Sequence, residues 1–197
     1  SVTTPHGSFQ TPAFIPVGTR GTIKGLTPEQ IQSTGSEIVL NNAYHLMLRP
    51  SDQLIAKLGG VHKFMQWDKP ILTDSGGYQA WSMADINTVN DDGVSFKSII
   101  DGSIIEMTPE RSIEVQNNLG ADIIMAFDDC PSSVAPQTQN LARRRHAQVA
   151  REGVMTEEQH EIRLEQSLDR TTRWLGRCVA RHQRPDDQAL FGIVQGG

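Results

Sequence analysis

The sequence predicts a parallel α/β fold, and three observations carry that expectation. Short apolar runs alternate with segments of helical spacing along most of the chain. The apolar runs are nearly continuous instead of alternating, as in strands buried on both faces. They also end in polar side chains, Asn42, Asp74, Asp128, Asp129 and Gln195, at the carboxyl edge where parallel sheets carry their ligands.

Residues 12–19 (PAFIPVGT) read as a strand entering a glycine turn. Residues 26–35 (LTPEQIQSTG) read as a helix: Thr27 is the N-cap, Pro28 the first helical position, Gln30 completes a capping box and Gly35 is the stop. Residues 37–45 (EIVLNNAYH) give a strand with Asn41 and Asn42 at its end, and residues 51–60 (SDQLIAKLGG) a short helix closed by Gly59. Residues 70–74 (PILTD) form the next strand. Residues 93–107 read as a hairpin, with Asp101-Gly102 supplying the positive φ of its turn. A Thr-Pro start opens a helix over residues 108–120, and residues 121–130 (ADIIMAFDDC) form a strand ending in two aspartates. Residues 136–182 read as a long helical region whose stripe Leu164, Leu168, Leu175, Val179 is expected to face the core. Residues 189–197 (ALFGIVQGG) give a last strand ending in Gln195.

The 197 residues, 37% hydrophobic and 21% charged, suit one domain with a sizeable core. A net charge of −5 gives no global signature of a nucleic-acid partner, although a local basic patch can bind phosphate on an acidic protein. Cys130 and Cys178 are far apart and form no CxxC, so reduced thiols in a cytoplasmic setting are expected, with neither a disulfide framework nor a zinc knuckle. No apolar run approaches the ~20 residues of a membrane span, and no signal peptide is read.

The candidate site begins at Asp74-Ser75-Gly76-Gly77-Tyr78. Glycine admits positive φ and close approach of a ligand, backbone N–H groups there can hold a ring carbonyl or a phosphate oxygen, and Tyr78 offers an aromatic face. The set suits a flat polar ring. A helix cap followed by a turn is the plain alternative. Asp128 presents two acceptor oxygens that match the paired donors on the Watson–Crick edge of guanine; a cap or surface ion pair is its alternative. Asp129 points to the other side of the strand and is assigned to capping. Gln195 both donates and accepts, which suits a carbonyl beside an N–H, or else begins a polar loop. His160 has Leu164 where a zincin needs a second histidine, and the six histidines form no ligand cluster along the sequence. Cys130 is a buried thiol before it is a nucleophile, and His45 a packed histidine. The run Arg143 to His146 meets either solvent or phosphate. There is no Walker loop and no GxGxxG after a strand.

Taken together, TPAFIPVGT, YHLMLRP, ILTDSGGYQ, DGS followed by TPERSIEVQ, LGADIIMAFDDC and FGIVQGG resemble the tRNA-guanine transglycosylase (queuine tRNA-ribosyltransferase) family over nearly the whole chain. The resemblance implies a (β/α)8 TIM barrel carrying a zinc ion. It implies a pentosyltransferase, active in queuosine biosynthesis, that exchanges the wobble guanine of a tRNA anticodon for queuine or a 7-deazaguanine precursor of the preQ1 type. By the same resemblance Asp74 is the proton acceptor. Asp74, Ser75, Gly76, Gly77 and Tyr78 form the base-binding loop, Asp128 and Gln195 hold the base edge, and Tyr78 stacks on the ring. The family's nucleophilic aspartate and its zinc ligands, three cysteines and a histidine, have no counterpart here. The chain is therefore expected to be the N-terminal part of one barrel, residues 1–197, with about the first half of the strands and an inserted helical segment near residues 135–166. Alone it is expected to be inactive. Its partners would be tRNA, the bases, and either a second copy or a C-terminal half. A non-catalytic partner subunit of such an enzyme is the alternative function, and an unrelated barrel enzyme using an aspartate for proton abstraction a more distant one.

Overall fold

The computed structural model describes residues 1–82, 87–133 and 155–195. Its centre is a four-stranded parallel sheet in the order β3-β4-β8-β9, formed by β3 (Val39–Asn41), β4 (Ile71–Thr73), β8 (Ile123–Met125) and β9 (Ala189–Phe191). The strands preceding these, β1 (Val2–Thr4) and β2 (Gly7–Phe9), make an antiparallel hairpin, and β5 (Asn87–Val89), β6 (Val94–Lys97) and β7 (Ile104–Met107) make a three-stranded antiparallel sheet. Gly102 (φ +76°) turns the β6–β7 connection, as the Asp-Gly pair predicts.

The helices follow their start and stop signals. In α1 (Pro28–Ser33) the Thr27 hydroxyl accepts from Gln30 N and the Gln30 side chain accepts from Thr27 N. Further helices are α2 (Ala43–Leu48), α3 (Asp52–Lys57), α4 (Val61–Met65) and α5 (Gly77–Ser82). Thr108 caps α6 (Pro109–Leu119), which Gly120 ends in the left-handed region. Helix α7 (Glu157–Arg181) starts with a Thr156–Gln159 capping box and runs unbroken for 25 residues. Residues 157–166 are thus continuous with 167–181; residues 135–154 of the expected insertion lie outside the described residues. Among the described residues no helix is long and apolar enough to cross a membrane.

Five expectations need correction. Residues 12–19 supply one parallel bridge, Val17 to Leu40, instead of a strand. Pro12 and Pro16 have no N–H to donate, so a ladder cannot extend through them. The strand predicted over residues 37–45 ends at Asn41 and the chain turns at Asn42 into α2, whose Ala43, Leu46 and Met47 are buried at helical spacing. The strand predicted over residues 121–130 stops at Met125, and that over 189–197 at Phe191, so the polar residues lie in the loops beyond. The leucine stripe of α7 reaches the core only through Leu175. His160, Ser167, Thr171, Trp174 and Cys178 are buried, while Leu168 and Val179 are exposed. Polar anchors set this rotation. Arg163 and Arg170 pair with the buried Asp129, Asp129 N donates to Thr171, and Trp174 Nε1 donates to the Asp91 carbonyl.

The main core holds Val39, Ile71, Ile124 and Phe127 against Trp67, Ile113, Leu119 and Trp174. The Phe127 and Trp174 rings stack with centroids 5.1 Å apart, joining the carboxyl end of β8 to α7.

Candidate active site

Asp74, Asp128 and Gln195 lie past the carboxyl ends of neighbouring parallel strands, so one edge of the sheet gathers them. Asp74 follows β4, whose Thr73 is fully buried. Its Oδ1 accepts from Ala43 N (2.9 Å) and its Oδ2 from Gln79 Nε2 (3.0 Å) and Asn42 Nδ2. Burial nevertheless dominates these donors and raises the Asp74 carboxyl above the usual carboxylate range.

The next residue makes the link between strands. Ser75 Oγ is 3.4 Å from Asp128 Oδ1 as donor, and accepts from Gly77 N at 3.2 Å. Gln195 Nε2 donates to Asp128 Oδ2. Burial, followed by the charge of Asp129 and opposed by the Ser75 and Gln195 hydrogen bonds, pushes Asp128 up to about 6. The glycines are what let the loop come this near. A Cβ on Gly77 would sit 3.1 Å from the Asp128 carbonyl oxygen, and Gly76 (φ +78°) would bring one to 3.2 Å from Tyr44 N. Tyr78 stands at the start of α5 with 59% of its surface exposed. A cavity of about 670 Å³ opens beside Gln195, lined also by Cys130, Pro131, Leu164, Ser167 and Leu168.

The arrangement can do two kinds of chemistry. Asp128 and Gln195 offer acceptors and a donor side by side, and Asp74 is a carboxylate whose proton affinity lies closer to neutrality than usual, as suits proton transfer. Asp129 turns away: Arg163 grips it with two 2.8 Å bonds and Arg170 adds another. Cys130 keeps its proton, because burial and then the Asp128 charge raise its pKa. Burial and then Arg20 lower the pKa of His45, favouring the neutral ring.

Of the residues that touch Asp74, Gln79 escaped the sequence reading, and Asn42 reads there only as a polar strand end. The signal was available: Asn42 ends a predicted strand beside that of Asp74, and Gln79 follows the glycine turn by two residues. The histidines, unclustered in sequence, do cluster in space. His6 Nδ1 lies 2.8 Å and His62 Nε2 3.0 Å from the two oxygens of Asp122, and their ligating atoms fall within 4.8 Å of one another. The imidazoles stack face to face at 3.5 Å with planes 14° apart, so their in-plane lone pairs run side by side and do not converge on one ion. Ile71 N also donates to Asp122. Burial raises the Asp122 carboxyl, but the bonds from His62, His6 and Ile71 prevail and hold it well below its usual range. The cluster locks the N-terminal hairpin to the amino end of β8, opposite the candidate site.

Comparisons with known proteins identify the family. The family described as Queuine tRNA-ribosyltransferase matches residues 1–197. The chain is 49% identical over 196 residues to a queuine tRNA-ribosyltransferase of Fusobacterium nucleatum, covering 100% of this chain and 46% of that protein. The proteins of that name from Synechococcus elongatus and Streptococcus suis are 48% and 46% identical, with 98% and 99% of this chain and 44% and 45% of theirs covered. The chain thus spans less than half the length of these curated relatives.

Proposed function

The chain belongs to the queuine tRNA-ribosyltransferase family, and on that premise we propose that it forms the base-binding part of a tRNA-guanine transglycosylase. The observation that carries the proposal is the convergence of Asp74 and Asp128 through Ser75 at one sheet edge, with Gln195 beside them. In this reading residues 1–197 are the N-terminal part of a (β/α)8 barrel and a further part closes it. The open flank of the sheet supports this, since Phe191 on β9 is 48% exposed and Val194 beyond it 97%.

The reaction breaks the bond between ribose C1′ and the wobble guanine and remakes it to queuine or a preQ1-type base. The target base must leave its stack, at a few kcal/mol, less in a single-stranded anticodon loop. Asp128 accepts from the base's N–H donors, Gln195 serves the adjacent positions, and Tyr78 covers the ring. Asp74 takes the proton that the incoming base releases as its nitrogen bonds to C1′; its raised pKa favours that transfer. The nucleophile toward C1′ comes from outside residues 1–197. So does the zinc site: the only cysteines are Cys130 and Cys178, and burial first of all pushes the Cys178 thiol up to about 11, which disfavours a thiolate ligand. The chain alone would bind base and exchange nothing. A cytoplasmic setting, where tRNA is met, goes with this reading. A non-catalytic partner subunit would have no use for buried carboxylates at the sheet edge, which cost stability when no ligand pairs with them.

The test is incorporation of labelled guanine into tRNA by the full-length protein, by its Asp74→Asn variant and by residues 1–197 alone. Exchange by the full-length protein only is the expected result. Undiminished exchange by the Asp74→Asn variant contradicts the role given to Asp74.

A further inference from the structure

Gln116 lies on α6, fully buried, outside the candidate site. The β4–β8 register ends at Thr73 and Ile124, while on its other flank β4 keeps to β3, Asp74 N donating to the Asn41 carbonyl at 3.2 Å. The facing flank of β8 at Met125 therefore has no strand to pair with, while the next residue, Ala126, bonds to Phe191 of β9 on the other flank. The Gln116 amide fills the opening as a strand residue would. Its Oε1 accepts from Met125 N (3.0 Å) and its Nε2 donates to the Met125 carbonyl (2.9 Å). The same Oε1 accepts from Thr73 Oγ1 (3.0 Å), so one side chain holds the last residue of each strand.

One turn back on α6, Ser112 extends the link. It is fully buried, accepts from Gln116 Nε2 at 3.3 Å and donates to the Ser75 carbonyl at 2.7 Å. Ser75 is the residue whose hydroxyl reaches Asp128. From Gln116 a bonded path therefore runs to the β4 end that carries Asp74, to the β8 end that leads to Asp128, and to the serine between them. An apolar side chain of similar length could fill the volume. It would leave the N–H and carbonyl of the half-buried Met125 without their partners in the protein, a state proteins avoid.

We infer that Gln116 is a positioning residue that sets the separation of Asp74 and Asp128 by wedging apart the carboxyl ends of β4 and β8. The inference rests on the base-binding reading of the site. It assigns part of the site's geometry to a helix that touches no base: α6, through Gln116 and Ser112, fixes the aperture that β4 and β8 leave open.

Guanine titrated calorimetrically into the full-length protein and its variants tests this. Gln116→Met weakens guanine binding by on the order of ten- to hundredfold, as misplacement of a binding group by a fraction of an ångström to an ångström does. In a Ser75→Ala background, where the bridge is already cut, the same change weakens binding markedly less, because the two residues act through one path. Gln116→Met binding within about twofold of the parent, or an equal loss in both backgrounds, overturns the inference. Should Gln116→Met fail to fold, Thr73→Val removes one bond to Gln116 at constant volume: a smaller loss supports the wedge, and unchanged affinity counts against it. Asp128→Asn is the separate control. If it leaves guanine binding unchanged, the base-binding reading itself fails, whereas loss in Asp128→Asn with normal binding in Gln116→Met refutes the wedge alone.

Discussion

The hydroxyl of Ser75, at the end of β4, lies 3.4 Å from the carboxylate of Asp128, which β8 delivers from the neighbouring position in the sheet. That contact makes one site of two strand ends.

Asp128 titrates at about 6, well above an ordinary aspartate. In the folded protein it holds its proton to a higher pH than in the unfolded chain. Its protonation therefore contributes stability that is fully present below the unfolded value of about 3.9 and is lost as pH rises through about 6. Thermal melting of the parent and of Asp128→Asn should show the variant gaining relative stability between about pH 4 and 7. Base affinity should run the other way: the acceptor form exists above about 6, so guanine binding by the parent rises across that range, and the Asp128→Asn profile is flat.

The raised pKa of Asp74 places its change of charge above the usual carboxylate range. Asn42 and Gln79 donate to its ionised form and oppose that rise. Asn42→Ala should raise it further. The acid limb of the pH–rate profile for base exchange then moves to higher pH, with the alkaline limb unmoved. Gln79→Ala should shift it in the same direction.

Asp129 is 2% exposed and answers two arginines. Asp129→Ala removes the bonds from Arg163 and Arg170, leaving Arg170 its exposed bond to Asp91, and loosens α7 from the end of β8. Denaturant unfolding should show a loss of about 3 kcal/mol, the usual result of breaking one side of a buried pair. Arg170→Ala should cost less, because Arg163 keeps its two bonds.

Gly77→Ala tests the close approach. The added methyl lies 3.1 Å from the Asp128 carbonyl oxygen and 3.3 Å from its Oδ1. Overpacking of this kind costs about 1–3 kcal/mol. The variant should melt lower and bind guanine more weakly, read by calorimetry.

Much of this was legible in the residues because the signals were local. Thr27 with Gln30, Thr108 before Pro109, and Gly102 in its turn each act within a few positions, and each element formed where those residues say. The aspartates were legible as well, since a carboxylate after an apolar run marks a strand end. What escaped was set by distant partners. The face α7 buries is chosen by Asp129 and Asp91, remote in sequence, and not by its own leucines. The pairing of His6 and His62 on Asp122 spans more than half the chain. Gln116 looks like any polar residue on a helix until the gap between β4 and β8 is seen.

The most direct test of a purine site between Asp74 and Asp128 is a crystal structure of the protein with guanine bound. The account predicts the ring at the carboxyl edge of the sheet, against Tyr78, with its N–H donors on the Asp128 carboxylate and Gln195 at the adjoining edge. Guanine seated elsewhere, with Asp128 still bonded only to Ser75 and Gln195, would contradict it.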